Sequence, residues 1–263
     1  MNFRTAKFFL AIVRNAKLIL CLLALGLMAG TTMARQAESA PASIARLGDR
    51  PLSFERNQGQ YSDAAVFVSR GPNYHLSLTP TQVRVTLQKT LRSAGAETHA
   101  THPGKSPGQV IYRSLLIELL GANPQARMVG AGEIAGRANY FIGNDPAKWV
   151  TGVPTYDQVR VAEVYPGINL LHYGNQQQLE YDFEIAPGAN PDVIALHFTG
   201  ADQIRIGAEG DLILSVGSDE IRQPKPVIYQ TIRGQRNAIT GGYRLAGPQT
   251  VKFTLGDYDR RLP

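Results

Sequence analysis

The sequence has very little cysteine: Cys21 is the only one in 263 residues. It lies in an apolar run near the amino terminus, and the rest of the chain contains no thiol. Disulfide bonds, thiol catalysis and cysteine-based metal sites are therefore excluded for everything after that run. A chain without disulfides depends on its hydrophobic core, and about 230 residues are enough to bury one.

The apolar run belongs to a predicted signal peptide, residues 1–34. Residues 18–30 carry no charge, and Thr32-Met33-Ala34 places small residues at the −3 and −1 positions before Arg35. The run follows four basic residues: Arg4, Lys7, Arg14 and Lys17. This three-part order is typical of secretory signals, so we expect an exported protein that is periplasmic, secreted or at the cell surface.

Two alternatives to a cleaved signal involve the membrane. The run is shorter than the roughly 20 residues that a membrane-spanning helix needs, which disfavours an uncleaved anchor. Lipid attachment at Cys21 is disfavoured because Leu20 precedes it, where a lipoprotein signal has a small residue. We therefore expect no membrane span after the signal is removed.

The chain has no large excess of charge of one sign once the signal is set aside. The full sequence has 27 basic and 21 acidic residues. Removing the four basic residues of the signal leaves 23 against 21, a net charge near +2. Binding to nucleic acid requires a basic stripe, and none is present, so no nucleic-acid partner is expected.

Several motifs of known chemistry are also absent. The sequence has no Gly-x-Ser-x-Gly nucleophile motif, no phosphate-binding loop and no dinucleotide fingerprint. We expect no cofactor and no metal. Long amphipathic helical patterns are missing as well, which removes the helical fold classes.

What the sequence does contain is a series of short strand patterns separated by turns. Residues 82–88 (QVRVTLQ) and 178–185 (QLEYDFEI) alternate between apolar and polar side chains, as half-buried antiparallel strands do. Similar runs follow one another to residue 255, with turn signals such as Tyr165-Pro166-Gly167-Ile168 between them. This spacing predicts an all-β antiparallel sandwich or two packed β-units.

The predicted domain organisation has three parts. Residues 1–34 are the signal peptide, 35–50 a flexible lead-in and 51–263 a β-rich domain. Residues 89–109 are polar and lack periodicity, which predicts a long loop inside the domain. Residues 110–120 (VIYRSLLIELL) favour a strand, with a short helix as the alternative.

The segment 139–159 holds the only tryptophan, Trp149, and many turn-forming residues. Asn144-Asp145-Pro146 has the composition of a helix start, and one helical turn would place Trp149 on the sheet. This interpretation makes the segment a packed corner. The tetrapeptide Gly-Ala-Asn-Pro occurs twice, at 121–124 and 188–191, a weak sign of two related β-units.

Three carboxylates are the strongest candidates for catalysis. On a strand over 178–185, Glu180, Asp182 and Glu184 share one face, with neighbours roughly 7 Å apart. That separation suits an acid/base pair of a glycoside hydrolase, or a calcium site. The alternative, which the composition favours, is a polar sheet face paired with basic residues of nearby strands.

The histidines and aromatic residues are weaker candidates. His99 and His102 resemble a metal pair without a third ligand, and His172 and His197 lie in predicted strands without a local catalytic partner. Trp149, Tyr156 and Tyr181 are candidate ligand-binding residues because aromatic rings stack on sugars, whereas core packing is the ordinary explanation.

A family resemblance covers residues 51–263. Among the blocks that carry it are PLSFERNQGQ (51–60), FVSRGPNYHLSLTP (67–80) and the long stretch 139–202. In this order they resemble the uncharacterised β-rich domain that precedes SBBP repeats, which are β-propeller-like, in bacterial exported proteins. The sequence given ends about where such repeats would start. The resemblance implies an exported protein and brings no established catalytic residues.

These observations favour an exported, non-catalytic structural or binding module of a bacterial envelope or surface protein. The partner is unknown; a repeat-bearing protein, another surface protein and a glycan are the classes considered. The competing hypothesis is a carbohydrate-active enzyme that uses Glu180 with Asp182 or Glu184.

Overall fold

The computed structural model describes residues 4–10, 52–61, 64–91, 109–175 and 178–262. These residues form eighteen strands and two short 3₁₀ helices, Pro146–Lys148 and Pro191–Val193. The predicted all-β class with no long helix is therefore confirmed. His99, His102 and most of the predicted loop 89–109 lie outside the described residues. At the two ends of this predicted loop, residues 89–91 and Gln109 belong to strands.

The strands, numbered in chain order, have the following bounds: β1 Arg4–Leu10, β2 Phe54–Arg56, β3 Phe67–Gly71, β4 Tyr74–Leu78, β5 Gln82–Leu91, β6 Gln109–Leu119, β7 Arg127–Tyr140, β8 Val150–Tyr165, β9 Ile168–Asn175, β10 Gln178–Ile185, β11 Ala195–Thr199, β12 Gln203–Ile206, β13 Leu212–Val216, β14 Asp219–Gln223, β15 Val227–Ile232, β16 Gln235–Ile239, β17 Gly241–Gly247 and β18 Thr250–Leu255. The segment predicted as a strand at 110–120 is a strand as far as Leu119, and not the alternative helix.

Fifteen strands form one antiparallel sheet, and β12, β13 and β14 form a second, smaller one. The large sheet runs in the order β16-β15-β1-β10-β9-β8-β2-β3-β4-β5-β6-β11-β18-β17, with β7 on the far edge of β8. Strand β8 belongs to both halves of this order. Its Thr155 and Tyr156 pair with β2, and the residues from Gln158 onwards pair with β9. The sequence signal for β8 covers only its second half.

The core lies between these two halves of the large sheet. Val83, Ile117 and Leu196 from β5, β6 and β11 face Leu170 and Phe183 from β9 and β10 across one small cavity. All five side chains are buried. Each large apolar side chain buried in this way contributes roughly 1.5–3 kcal/mol to folding. The sandwich predicted from alternation is therefore formed by one sheet that folds over itself.

The loop after β2 is organised by two side-chain amides. Asn57 donates from Nδ2 to the carbonyls of Ala65 and Tyr61 at 3.0 and 3.2 Å, and its Oδ1 accepts two further backbone hydrogen bonds. Gln60 donates to the carbonyl of Arg56 at 2.8 Å. The block that carries the family resemblance here thus satisfies backbone groups that no strand pairs.

The repeated tetrapeptide is a local turn in both places. In 121–124 and 188–191 the glycine has a φ of +69° and +76°. The asparagine, Asn123 or Asn190, accepts a hydrogen bond at its Oδ1 from the backbone N–H two residues later, at 3.0 and 3.1 Å. The residue preferences of turns therefore account for the repeated tetrapeptide.

Candidate functional site

Strand β10 places the predicted carboxylates on one face, as the alternation indicates. The opposite face consists of core residues, all buried: Leu179, Tyr181, Phe183 and Ile185. Glu180, Asp182 and Glu184 point away from this core and are shielded nonetheless. Glu180 is 2% exposed and Asp182 is 4% exposed.

These carboxylates have specific partners. The hydroxyl of Tyr173 on β9 donates to Asp182 Oδ1 at 3.0 Å. The guanidinium of Arg160 on β8 donates to Glu184 Oε2 at 2.5 Å. Burial, together with the negative charges of Asp182 and Glu180, raises the pKa of Tyr173 well above its usual range, so its hydroxyl stays a donor.

The small core cavity lies on the other side of β10 from the carboxylates. Its volume is about 20 Å³, enough for about one water molecule and too small for a sugar ring. The cavity is lined by apolar side chains together with His172 and Tyr181. The acidic face of β10 therefore does not contribute to this cavity.

His172 is a core residue. Its side chain is 2% exposed, and neither ring nitrogen has a hydrogen-bond partner among the described residues. Burial lowers its pKa to about 3, so the ring is neutral at physiological pH. The other strand histidine, His197, has its Nδ1 3.2 Å from Thr250 Oγ1.

The hairpin of β7 and β8 ends in a segment that contains the tryptophan. We call residues 141–149 the hairpin tip. The expected helix start is present: Asp145 caps the first 3₁₀ helix, and its Oδ1 accepts a hydrogen bond from Ala147 N at 3.1 Å. The tip lies beyond the last pair of β8 with β2, Glu55–Thr155, so that neighbouring strand no longer supports it.

Apolar side chains at the tip face solvent. Phe141 is 63% exposed, Ile142 is 59% exposed and Trp149 is 38% exposed. The Trp149 ring packs edge-on against Phe141, with centroids 5.1 Å apart, and its Nε1 donates to the carbonyl of Gly143 at 3.2 Å. The interpretation of this segment as a corner packed on the sheet is wrong, because the hairpin carries Trp149 past the strand it would cover.

The base of the tip is fixed by a polar cluster that we call the Glu55 cluster. The hydroxyl of Tyr140, the last residue of β7, donates to the carboxylate of Glu55 and lies 3.1 Å from the hydroxyl of Tyr61. The guanidinium of Arg70 stacks 4.7 Å above the Tyr140 ring, and its Nε lies 3.9 Å from Glu55. His75 extends the cluster, with its ring 5.1 Å from that of Tyr61.

Burial and the hydrogen bond to Glu55 raise the pKa of Tyr140 well above its usual range. Both residues are buried, so the charge-assisted hydrogen bond between them holds the start of the tip in place. Sequence analysis missed this cluster because its members come from β2, β3, β4, β7 and a loop. No local spacing brings them together.

The structure does not gather the three candidate aromatic residues into one platform. Trp149 is at the hairpin tip, and Tyr181 lies in the core beside the cavity. Tyr156, in the middle of β8, packs edge-on against Phe67 at 5.9 Å. Its ring also fills the space above Gly130, where a Cβ would be 2.5 Å from it. Only Trp149 of the three is available at a surface with other exposed aromatic residues.

Two further observations concern metals and membranes. Within the described ranges, no group of three or more His, Cys, Asp or Glu side chains is arranged to hold a metal ion. No helix in the same ranges is long and apolar enough to cross a membrane.

Comparison with known proteins gives a family and no function. The model of the family described as Domain of unknown function (DUF7948) matches residues 54–263. No curated protein and no solved structure matches the chain.

Proposed function

This chain belongs to the family described as Domain of unknown function (DUF7948), and we propose that it is a non-catalytic binding module that contacts its partner through the hairpin tip. The observation that carries this proposal is the pair of exposed rings, Phe141 and Trp149, at the end of a long hairpin. Aromatic residues of this kind are enriched at the centres of protein interfaces and on sugar-binding surfaces.

The Glu55 cluster supports this proposal, because it fixes the residue from which the tip starts. A contact surface that is held in place before binding loses less conformational entropy when the partner arrives. Tyr140 is buried and bonded to Glu55, whereas Phe141, the next residue, is exposed. The boundary between fixed base and exposed tip thus falls between two consecutive residues.

We also propose that the module is exported, with residues 1–34 removed, and that it acts beside β-propeller-like repeats of the SBBP type on the same or a neighbouring polypeptide. The signal-like amino terminus and the family resemblance of residues 51–263 support these statements.

The alternative proposal, a carbohydrate-active enzyme, has less support from the geometry. Glu184 is paired with Arg160, and Asp182 accepts the hydrogen bond of Tyr173. A glycosidase needs a pair of carboxyl groups beside a groove that admits a sugar. The cavity beside β10 is lined by Leu179, Tyr181 and Phe183 on the opposite face of the strand.

The binding proposal is tested with the double variant Phe141→Ser/Trp149→Ser. Labelled protein is incubated with a glycan array and with cell-envelope fractions of the source bacterium. We expect the unsubstituted protein to bind one of these and the double variant to bind at least about tenfold more weakly, because a buried aromatic contact contributes about 1–3 kcal/mol or more.

Tyr112→Ser is the matched control, because Tyr112 is 64% exposed on β6, away from the tip. This variant should bind as the unsubstituted protein does. Both proteins should also unfold at nearly the same denaturant concentration as the parent, since exposed side chains contribute little to stability. Equal binding by the tip double variant and the parent would show that the tip is not the contact surface.

A further inference from the structure

In the described part of the chain, β10 and β15 do not pair with each other, because one strand separates them. Strand β1, residues Arg4–Leu10, lies between them and is antiparallel to both. It makes seven residue pairs with β10, from Leu179 to Ile185, and three with β15, from Val227 to Tyr229. The space between β10 and β15, which we call the strand slot, is therefore one strand wide.

The two walls of the strand slot are held independently of β1. Strand β10 pairs along its whole length with β9, and β15 pairs with β16. The side chain of Gln230 on β15 also donates to the carbonyls of Asp259 and Leu262 at 2.7 and 3.2 Å, which ties β15 to the end of the domain. Removal of β1 would leave two facing strand edges, each with unpaired backbone N–H and C=O groups.

The two faces of the strand slot differ in chemistry. On one side, Leu179, Tyr181 and Phe183 belong to the core, and the β1 positions opposite them are Leu10, Phe8 and Ala6. An occupying strand therefore needs apolar residues at alternate positions on this side.

The other side of the slot is acidic. Here β10 presents Glu180, Asp182 and Glu184, and the residue of β1 opposite Asp182 is Lys7. With β1 in the slot, Asp182 and Glu180 are almost completely shielded from solvent. Shielding carboxylates from water costs free energy unless a positive charge is brought near, so this face favours a strand with a basic residue at the middle position.

We propose that, in the exported protein, the strand slot binds an extended segment of a partner polypeptide by strand addition. The segment has apolar residues at alternate positions and a Lys or Arg opposite Asp182. Strand addition to an open edge is a common mode of peptide recognition, in which backbone hydrogen bonds give affinity and alternate side chains give specificity. The proposal rests on one part of the proposed function, the removal of residues 1–34, which would take β1 away.

The lead-in that would then start the chain does not suit the slot. Residues 35–50 (RQAESAPASIARLGDR) contain no alternation of apolar and polar residues. A strand from a different polypeptide is therefore the occupant that the chemistry favours, and a second copy of this chain is an alternative that the test below distinguishes.

The experiment uses the full chain with a protease recognition sequence inserted into 35–50. After folding and cleavage, a fluorescent peptide of residues 2–12 is added in excess, and its binding is followed by anisotropy. We expect saturable exchange of the peptide into the slot. A peptide with Lys7→Pro should not bind, because proline cannot donate the central hydrogen bond. A Lys7→Glu peptide should bind at least about tenfold more weakly.

Two protein variants separate the charge effect from general damage. In Asp182→Asn the difference between the Lys7 and Lys7→Glu peptides should shrink by about tenfold. In Glu184→Gln, the matched control, it should persist, because Glu184 lies opposite position 5 of the peptide and not opposite position 7. Failure of any peptide to exchange, or equal binding of the proline peptide, overturns the proposal; so does a cleaved protein that dimerises and excludes the peptide.

The amino-terminal mass of the exported protein is measured separately. A mass that begins at Arg35 supports the removal of β1. If residues 1–34 are retained while peptide exchange succeeds, the proposed removal of these residues fails and the slot is occupied in cis, which rejects a partner strand in the exported form. Binding through the hairpin tip is unaffected by either result, so the two proposals fail in different experiments.

Discussion

His172 shows what a single buried side chain implies for the whole protein. Its ring is in the core, and its pKa is lowered to about 3 by burial, whereas an unfolded chain binds the proton near pH 6.5. The unfolded state therefore binds more protons than the folded state between these two values. The stability associated with a neutral His172 is complete above pH 6.5 and is lost as the pH falls towards 3.

The pH dependence of unfolding should reveal this residue. Each pH unit below about 6.5 should lower the free energy of unfolding by about 1.4 kcal/mol through His172 alone. Denaturant titrations at about pH 7 and about pH 5 give the free energy of unfolding of the parent and of His172→Leu. The difference between the two proteins at each pH contains the contribution of His172. We expect that difference to change by about 2 kcal/mol between the two pH values, with the variant the less sensitive. An identical pH dependence in both proteins would mean that the ring is protonated in the folded state.

For single residues, the sequence predicted on which face of a strand a side chain lies, but it did not predict which other residues that side chain contacts. Alternation in 178–185 was sufficient to place Leu179 and Phe183 in the core and Glu180 and Asp182 on the other face, as the structure confirms. The partners could not be predicted. The Glu55 cluster joins residues 85 positions apart, Glu55 and Tyr140, and only the strand order brings them within hydrogen-bond distance.

Two of the strands that the sequence did not predict, β7 and β16, share a physical cause. Strand β7 (RMVGAGEIAGRANY) contains three glycines, and most of its side chains are exposed on both faces. It pairs only with β8 in the described part of the chain, so neither face needs a regular apolar pattern. Strand β16 (QRNAI) is almost entirely exposed at the end of the sheet order, and its polar sequence gave no signal either. A strand without a buried face thus leaves no periodic apolar pattern in the sequence.

Turn positions were predicted well because glycine there has a direct cause. Gly167 follows Pro166 between β8 and β9 and has a φ of +69°, which a type II turn requires at its third position. A Cβ at this position would lie 2.8 Å from the Cβ of Ala189. Gly152 in β8 has the same φ of +69°, but a Cβ there would meet no described neighbouring atom within 4 Å. A side chain at Gly152 would therefore cause backbone strain only, whereas a side chain at Gly167 would cause the same strain and a steric clash as well.

Alanine at each of these two positions gives a matched pair of variants. Gly152→Ala should lower the free energy of unfolding by about 1 kcal/mol, from backbone strain alone. Gly167→Ala should lower it by about 2–4 kcal/mol, because crowding against Ala189 adds to the same strain. Equilibrium unfolding in urea measures both values. If the two variants are destabilised equally, the 188–191 turn moves aside at little cost and crowding is not significant.

At the scale of the whole molecule, the smaller sheet is joined to the larger one through a buried amide. Gln223 at the end of β14 is completely buried, and its Nε2 donates to the hydroxyl of Tyr181 on β10 and, at 2.8 Å, to that of Tyr243 on β17. Burial raises the pKa of both tyrosines, so the two hydroxyls stay protonated over the ordinary pH range. Leu212 and Leu214 of β13 also belong to the hydrophobic core that the two sheets share. This buried amide thus links the two sheets, together with the ion pair between Lys89 on β5 and Asp219 on β14 at 2.7 Å.

Replacing Gln223 should therefore loosen the smaller sheet selectively. Gln223→Leu keeps the volume but removes the hydrogen bonds from Gln223 to the hydroxyls of Tyr181 and Tyr243, which should cost about 1–3 kcal/mol. Hydrogen exchange should become faster in β12, β13 and β14 by a corresponding factor, while β8 and β9 keep their protection. Gln230→Leu is the matched control: Gln230 is a similarly buried amide on β15 that bonds to Asp259 and Leu262, so its loss should free the end of the chain only. If both variants accelerate exchange across all the strands alike, the two sheets unfold as one cooperative unit, and Gln223 is not a specific connection between them.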